Sequence, residues 1–126
     1  MKFNRELGAV LESSLRAQRS VLLFGPRQTG KTTLIKQVCD KFSSLEYPLQ
    51  LPSVRMRLEG TPEVLLREVD AFKGPGPALV FIDEIQKVPA LMDVLQFLID
   101  EKKIVLVATG SSARKMRQAH TNWLPG

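Results

Sequence analysis

With 126 residues, 44% of them hydrophobic, the chain has the length of one domain and the apolar content for a modest core. Its apolar runs fall short of the roughly 18 residues that a membrane span needs. Met1-Lys2-Phe3-Asn4-Arg5-Glu6 opens no signal-peptide region, so a cytoplasmic protein with no membrane partner is expected. The net charge of +5 is uneven: all 13 acidic residues lie at or before Glu101, and the excess resides in Lys102, Lys103, Arg114, Lys115 and Arg117. That basic segment suits nucleic-acid phosphates, or acidic groups on a protein partner or on a missing part of the same chain. One cysteine, Cys39, and one histidine, His120, make neither an internal disulfide nor a zinc site, and Cys39 reads as a packed, inert thiol.

In chain order, Leu7, Val10, Leu11 and Leu15 recur at helical spacing and predict a helix over residues 4–17 with those four on its buried face. Residues 20–24, with Val21-Leu22-Leu23-Phe24 consecutive, read as a strand buried on both faces, as in a parallel sheet. Leu34, Ile35, Val38 and Phe42 mark a second helical face. Residues 45–58 are weakly patterned, because Pro48 and Pro52 interrupt the hydrophobics, and a short edge strand near residues 47–51 is the expectation. Thr61 suits an N-cap and Pro62 the first position of a helix whose buried face is Leu65, Val69 and Phe72. Gly74-Pro75-Gly76-Pro77 ends it. Residues 78–82 (ALVFI) form a second buried strand, Leu91, Val94, Leu95, Leu98 and Ile99 an amphipathic helix, and residues 104–108 (IVLVA) a third buried strand. Strands alternating with helices predict a mainly parallel sheet between two helical layers, with ligands beyond the carboxyl ends of the strands.

Each well-defined strand ends in polar or glycine residues, and the first such cluster is the most specific. Gly25-Pro26-Arg27-Gln28-Thr29-Gly30-Lys31-Thr32 matches G-x-x-x-x-G-K-[ST], the P-loop or Walker A pattern. Glycine permits a loop tight enough to turn successive backbone N–H groups onto a phosphate, and the following helix adds its own free N–H groups. Lys31 supplies a mobile cation for the β- and γ-phosphates, and the Thr32 hydroxyl a hard oxygen for Mg2+. Thr33 extends the hydroxyl pair at the helix start. Pro26, Arg27, Gln28 and Thr29 form the loop interior, where backbone matters more than side chain.

Asp83 and Glu84 close the second buried strand in the Walker B manner. At the tip of a strand neighbouring the P-loop strand, Asp83 is expected to hold Mg2+ through its water shell, and Glu84 to take a proton from an attacking water. Thr109, Ser111 and Ser112 form the third cluster, with Ser111 as the expected sensor of the γ-phosphate and Ser112 as a helix cap.

The stretches "GPRQTGKTTLIKQV", "LVFIDEIQKVPALMDVLQFLID" and "VLVATGSSARKMR" resemble the AAA-type ATPases of bacteria and archaea in which an ATPase core precedes a C-terminal domain of unknown function. The resemblance implies a P-loop NTPase fold, ATP rather than GTP, a Mg2+ cofactor, Walker roles for Lys31, Thr32, Asp83 and Glu84, and a sensor-like role for Ser111. It also implies a fifth strand beside the P-loop strand and a lid. Only 16 residues follow Gly110 and they hold no strand-like run, so a truncated module lacking that strand and lid is expected. Slow ATP hydrolysis is the leading functional expectation, with nucleotide binding without turnover and a DNA-associated ATPase fragment as alternatives. A GTPase is disfavoured because no N/T-K-x-D motif is present, and a small-molecule kinase because such enzymes usually lack a carboxylate pair like Asp83-Glu84.

Overall fold

The structure, a computed structural model, describes residues 2–25, 31–72 and 74–111. The expectations for Pro26, Arg27, Gln28, Thr29, Gly30 and Ser112, and for the basic Arg114, Lys115 and Arg117, lie outside the described residues. In order the chain forms α1 (Lys2–Arg16), β1 (Val21–Phe24), α2 (Lys31–Cys39), β2 (Ser44–Pro48), α3 (Pro52–Gly60), α4 (Val64–Ala71), β3 (Ala78–Asp83), a 3-10 turn (Ile85–Lys87), α5 (Leu91–Asp100) and β4 (Ile104–Gly110).

The four strands make one sheet in the order β1-β4-β3-β2, and every pairing is parallel. Consecutive hydrophobics in β3 and β4 follow from this placement, because alternate side chains enter different cores. Val80, Ile82, Leu106 and Ala108 pack with Leu58, Leu65, Val69, Leu91, Leu95 and Leu98 from α3, α4 and α5. Leu79, Phe81, Val105 and Val107 pack with Leu11 and Leu15 of α1 and Ile35, Val38 and Cys39 of α2. The result is the expected three-layer α/β/α arrangement. Burial pushes the Cys39 thiol up to about 11, in keeping with an inert packed side chain.

Several local expectations are corrected. β1 is half-buried rather than buried on both faces, because it ends the sheet and, among the described residues, pairs only with β4. Val10 is 62% exposed: the stripe that packs is Leu11 and Leu15, four residues apart, and Val10 falls beside it. The weakly patterned middle holds an edge strand as expected, but at residues 44–48, followed by the unforeseen α3, with Pro52 in its first turn, where a missing N–H is harmless. Thr61 is the C-cap of α3 instead of the N-cap of the next helix. Its N–H donates to Arg57 O, its carbonyl accepts from Val64 N–H, and α4 begins only at Val64. The last strand runs on through Thr109 and Gly110.

Candidate nucleotide site at the carboxyl edge of the sheet

The strand ends are level. Phe24 of β1 stands opposite Gly110 of β4, and Ile82 of β3 opposite Ala108, so Gly25, Asp83-Glu84 and Thr109–Ser111 meet along one edge. Gly25 N–H donates to Gly110 O at 3.1 Å, which ties the entry of the glycine loop to β4.

One expectation about this edge fails. Asp83 is not on a strand neighbouring the P-loop strand, because β4 lies between β1 and β3. The two parts still meet, since the connection from β1 to β2 joins the two outermost strands. Its helix α2 must therefore cross the sheet face over β4 and β3. The crossing sets the Thr32 hydroxyl at the start of α2 3.2 Å from Asp83 Oδ1 and 3.4 Å from Oδ2. Lys31 is the first residue of α2, with its side chain outside the described residues, and Thr33 follows on the exposed side.

Asp83 is 4% exposed and well supplied with donors. Besides Thr32 it accepts from Gln50 Nε2 at 2.9 Å and from the fully buried Thr109 hydroxyl. Thr109 in turn accepts from Glu84 N–H at 3.0 Å, so this hydroxyl joins both acidic residues to β4. A small cavity of about 190 Å3 opens beside the cluster between Thr32, Lys36, Glu46, Tyr47, Gln50 and Asp83. A larger cavity, about 410 Å3 near Leu15, Phe42 and Pro77, lies at the amino ends of the strands, away from these groups.

Glu84 points differently from Asp83 because its backbone turns left-handed, with φ 61° and ψ 53°. For a residue with a side chain that conformation costs on the order of 1–3 kcal/mol. Glu84 is 7% exposed, and its Oε1 accepts from Gln86 Nε2 at 2.8 Å and from the Ser111 hydroxyl at 3.0 Å. Ser111 thus reaches the site through Glu84. Gln86 Oε1 is buried with no hydrogen-bond partner among the described residues. It presses against Gly110, where an added Cβ would stand 3.0 Å from it and 2.8 Å from Phe24 Cε1. Only glycine lets ring and amide approach this closely.

Sequence reading missed two groups here and gave no distinct role to a third. Gln50 lay in the weakly patterned middle and gave no signal. Gln86 lies in the stretch "LVFIDEIQKVPALMDVLQFLID" with no local signal of its own, and Thr109 stands with the serines of the third cluster, although its buried hydroxyl bonds the two acidic residues.

A family model described as an AAA domain matches residues 17–126. The chain belongs to the AAA domain family. It is 35% identical over 71 residues to the cell division cycle protein 48 homolog of Archaeoglobus fulgidus, covering 56% of this chain and 10% of that protein. It is 27% identical over 115 residues to a katanin p60 ATPase-containing protein of Xenopus laevis, the A-like 2 form, covering 85% of this chain and 22% of that one. The chain therefore spans only a minor part of these relatives. Among solved structures, C. elegans PCH-2 superposes with a TM-score of 0.65 at 20% identity, over 98% of this chain and 40% of that one, a likeness of fold. The family and the likeness to PCH-2 agree on the architecture. No helix among the described residues is long and apolar enough to cross a membrane.

Proposed function

We propose that the chain binds ATP with Mg2+ at the carboxyl edge of its sheet and hydrolyses it slowly. The observation that carries this reading is the meeting of the Thr32 hydroxyl, at the last position of the sequence that matches the P-loop, with the Asp83 carboxylate, 3.2 Å apart. Residues 25–30 and the N–H groups at the start of α2 bind the phosphates, Lys31 balances their charge, and Thr33 supports the helix start.

The donor chemistry fits Mg2+. Thr32 and Asp83 offer hard oxygens on converging elements, and no cluster of three or more acidic, histidine or cysteine side chains that would form an all-protein metal cage occurs among the described residues. Magnesium is usually held by one or two protein oxygens together with phosphate and water, and when bound it neutralises charge on the β- and γ-phosphates. The protein's own part is to orient. Asp83 is fixed by Gln50 and Thr109, and Glu84 is aimed apart from it by its left-handed backbone, to accept a proton from the attacking water.

Steady-state phosphate release compared with nucleotide binding tests this. The Glu84→Gln variant should lose about 100-fold or more in turnover while its ATP affinity stays within a few-fold of wild type. Wild type no faster than Glu84→Gln would leave a module that binds nucleotide without turnover.

A further inference from the structure

We propose that Gln86 is a positioning residue for Glu84. Its side-chain amide, with the Ser111 hydroxyl, sets the rotation of the carboxylate about the strand end. The proposal rests on the hydrolase reading above, in which Glu84 is the base.

Three hydrogen bonds close a ring. Gln86 Nε2 donates to Glu84 Oε1 at 2.8 Å and to Ser111 Oγ at 3.2 Å, and the Ser111 hydroxyl donates to the same Glu84 Oε1 at 3.0 Å. Two donors from different elements, the turn after β3 and the end of β4, converge on one carboxylate oxygen. The plane of the carboxylate is fixed by that convergence, as a group that must meet a bound water in one geometry requires.

The orientation of the amide shows what it is held for. Gln86 Oε1 is buried without a partner among the described residues, an arrangement native structures avoid unless something else decides it. Turning the amide over would set its carbonyl oxygen against the Glu84 carboxylate and against a hydroxyl whose proton is already given to Glu84. The orphaned oxygen is the consequence of keeping Nε2 on Glu84. Were packing the only requirement at this position, leucine of similar volume would meet it with no polar atom left over. The ring also bears on Glu84's strained backbone, because the αL turn brings its side chain to Gln86 and Ser111 while Asp83 stays with Thr32.

The test measures steady-state ATP turnover of the full chain as wild type, Gln86→Leu and Glu84→Gln, with affinity for a non-hydrolysable ATP analogue and the melting midpoint in parallel. Gln86→Leu should lower kcat about tenfold, leave KM and analogue affinity within about twofold, and melt no lower than wild type. A merely structural glutamine would lower the midpoint and spare kcat in the folded fraction. In 15N-labelled protein, the Gln86 side-chain amide resonances should move in both Glu84→Gln and Ser111→Ala. A Gln86→Leu variant that is folded and turns over like wild type overturns the proposal and leaves the hydrolase reading standing. If Gln86→Leu does not fold, amide resonances unmoved by both neighbouring substitutions overturn it instead. Wild type as slow as Glu84→Gln removes the hydrolase reading and this inference with it.

Discussion

Asp83 and Glu84 are adjacent in sequence and both nearly buried, yet they serve different neighbours. Asp83 collects donors from α2, the loop after β2, and β4, whereas the left-handed backbone at Glu84 turns its carboxylate toward Gln86 and Ser111. Gly110 makes that second arrangement possible by leaving room for the Phe24 ring and the Gln86 amide. Gly110→Ala should therefore destabilise the fold by about 1–3 kcal/mol, the usual range for an extra methyl in a filled site, as read from denaturant midpoints. It should also lower turnover, since the added Cβ pushes on the residue that steadies Glu84. The identities of Asp83, Glu84 and Ser111 as candidate site residues were legible in sequence, because a polar cluster after a buried strand is a local signal. Their pairing was not: the bond from Ser111, the expected γ-phosphate sensor, to Glu84 is decided only by the side-by-side ends of β3 and β4.

At the level of elements, a polar junction ties β2, α3 and α4 together. The Tyr47 hydroxyl donates to Glu68 Oε1 at 2.6 Å, and Arg57 of α3 reaches Glu68 Oε2 at 2.7 Å. Burial, with the Glu68 carboxylate beside it, pushes the Tyr47 phenol well above its ordinary value. Burial also pushes Glu68 up, but the Tyr47 and Arg57 bonds outweigh it and hold the carboxyl below its usual value. Tyr47→Phe should cost about 1.5 kcal/mol at pH 7, as expected for a hydrogen bond to a charged acceptor. Because Glu68 is depressed, its contribution is present above the ordinary carboxylate range and lost as pH falls through the folded value, so the wild-type advantage should shrink on acidification. Urea unfolding of both proteins at pH 7 and pH 4 checks the size and the sign. This junction was invisible to periodicity. Pro48 and Pro52 looked like interruptions, whereas they close β2 and open α3, and the helix they frame buries only Leu58 fully. One apolar anchor in nine residues leaves no helical period to read.

For the molecule as a whole, the strand order fixes where the polar groups gather. If the edge shared by β1, β4 and β3 binds Mg-ATP, saturating nucleotide at about 100 times Kd should stabilise the fold by about 2.7 kcal/mol, seen as a rise of several degrees in the melting midpoint. Lys31→Ala should remove most of that rise while melting normally without nucleotide. The sequence alone determined the layered α/β class, the glycine loop, and the residues that crowd the strand ends. Those are set by local rules: uninterrupted apolar runs for strands buried on two faces, apolar stripes for helices, and glycine where backbone must wrap a phosphate. Tertiary structure decided which of these neighbours touch. It inserted β4 between β1 and β3, sent α2 across the sheet so that Thr32 could meet Asp83, and brought Gln50 and Thr109 to the acidic pair and Ser111 to Glu84. Contacts between residues 25 to 51 positions apart depend on the order in which strands assemble, and no window of sequence carries that order.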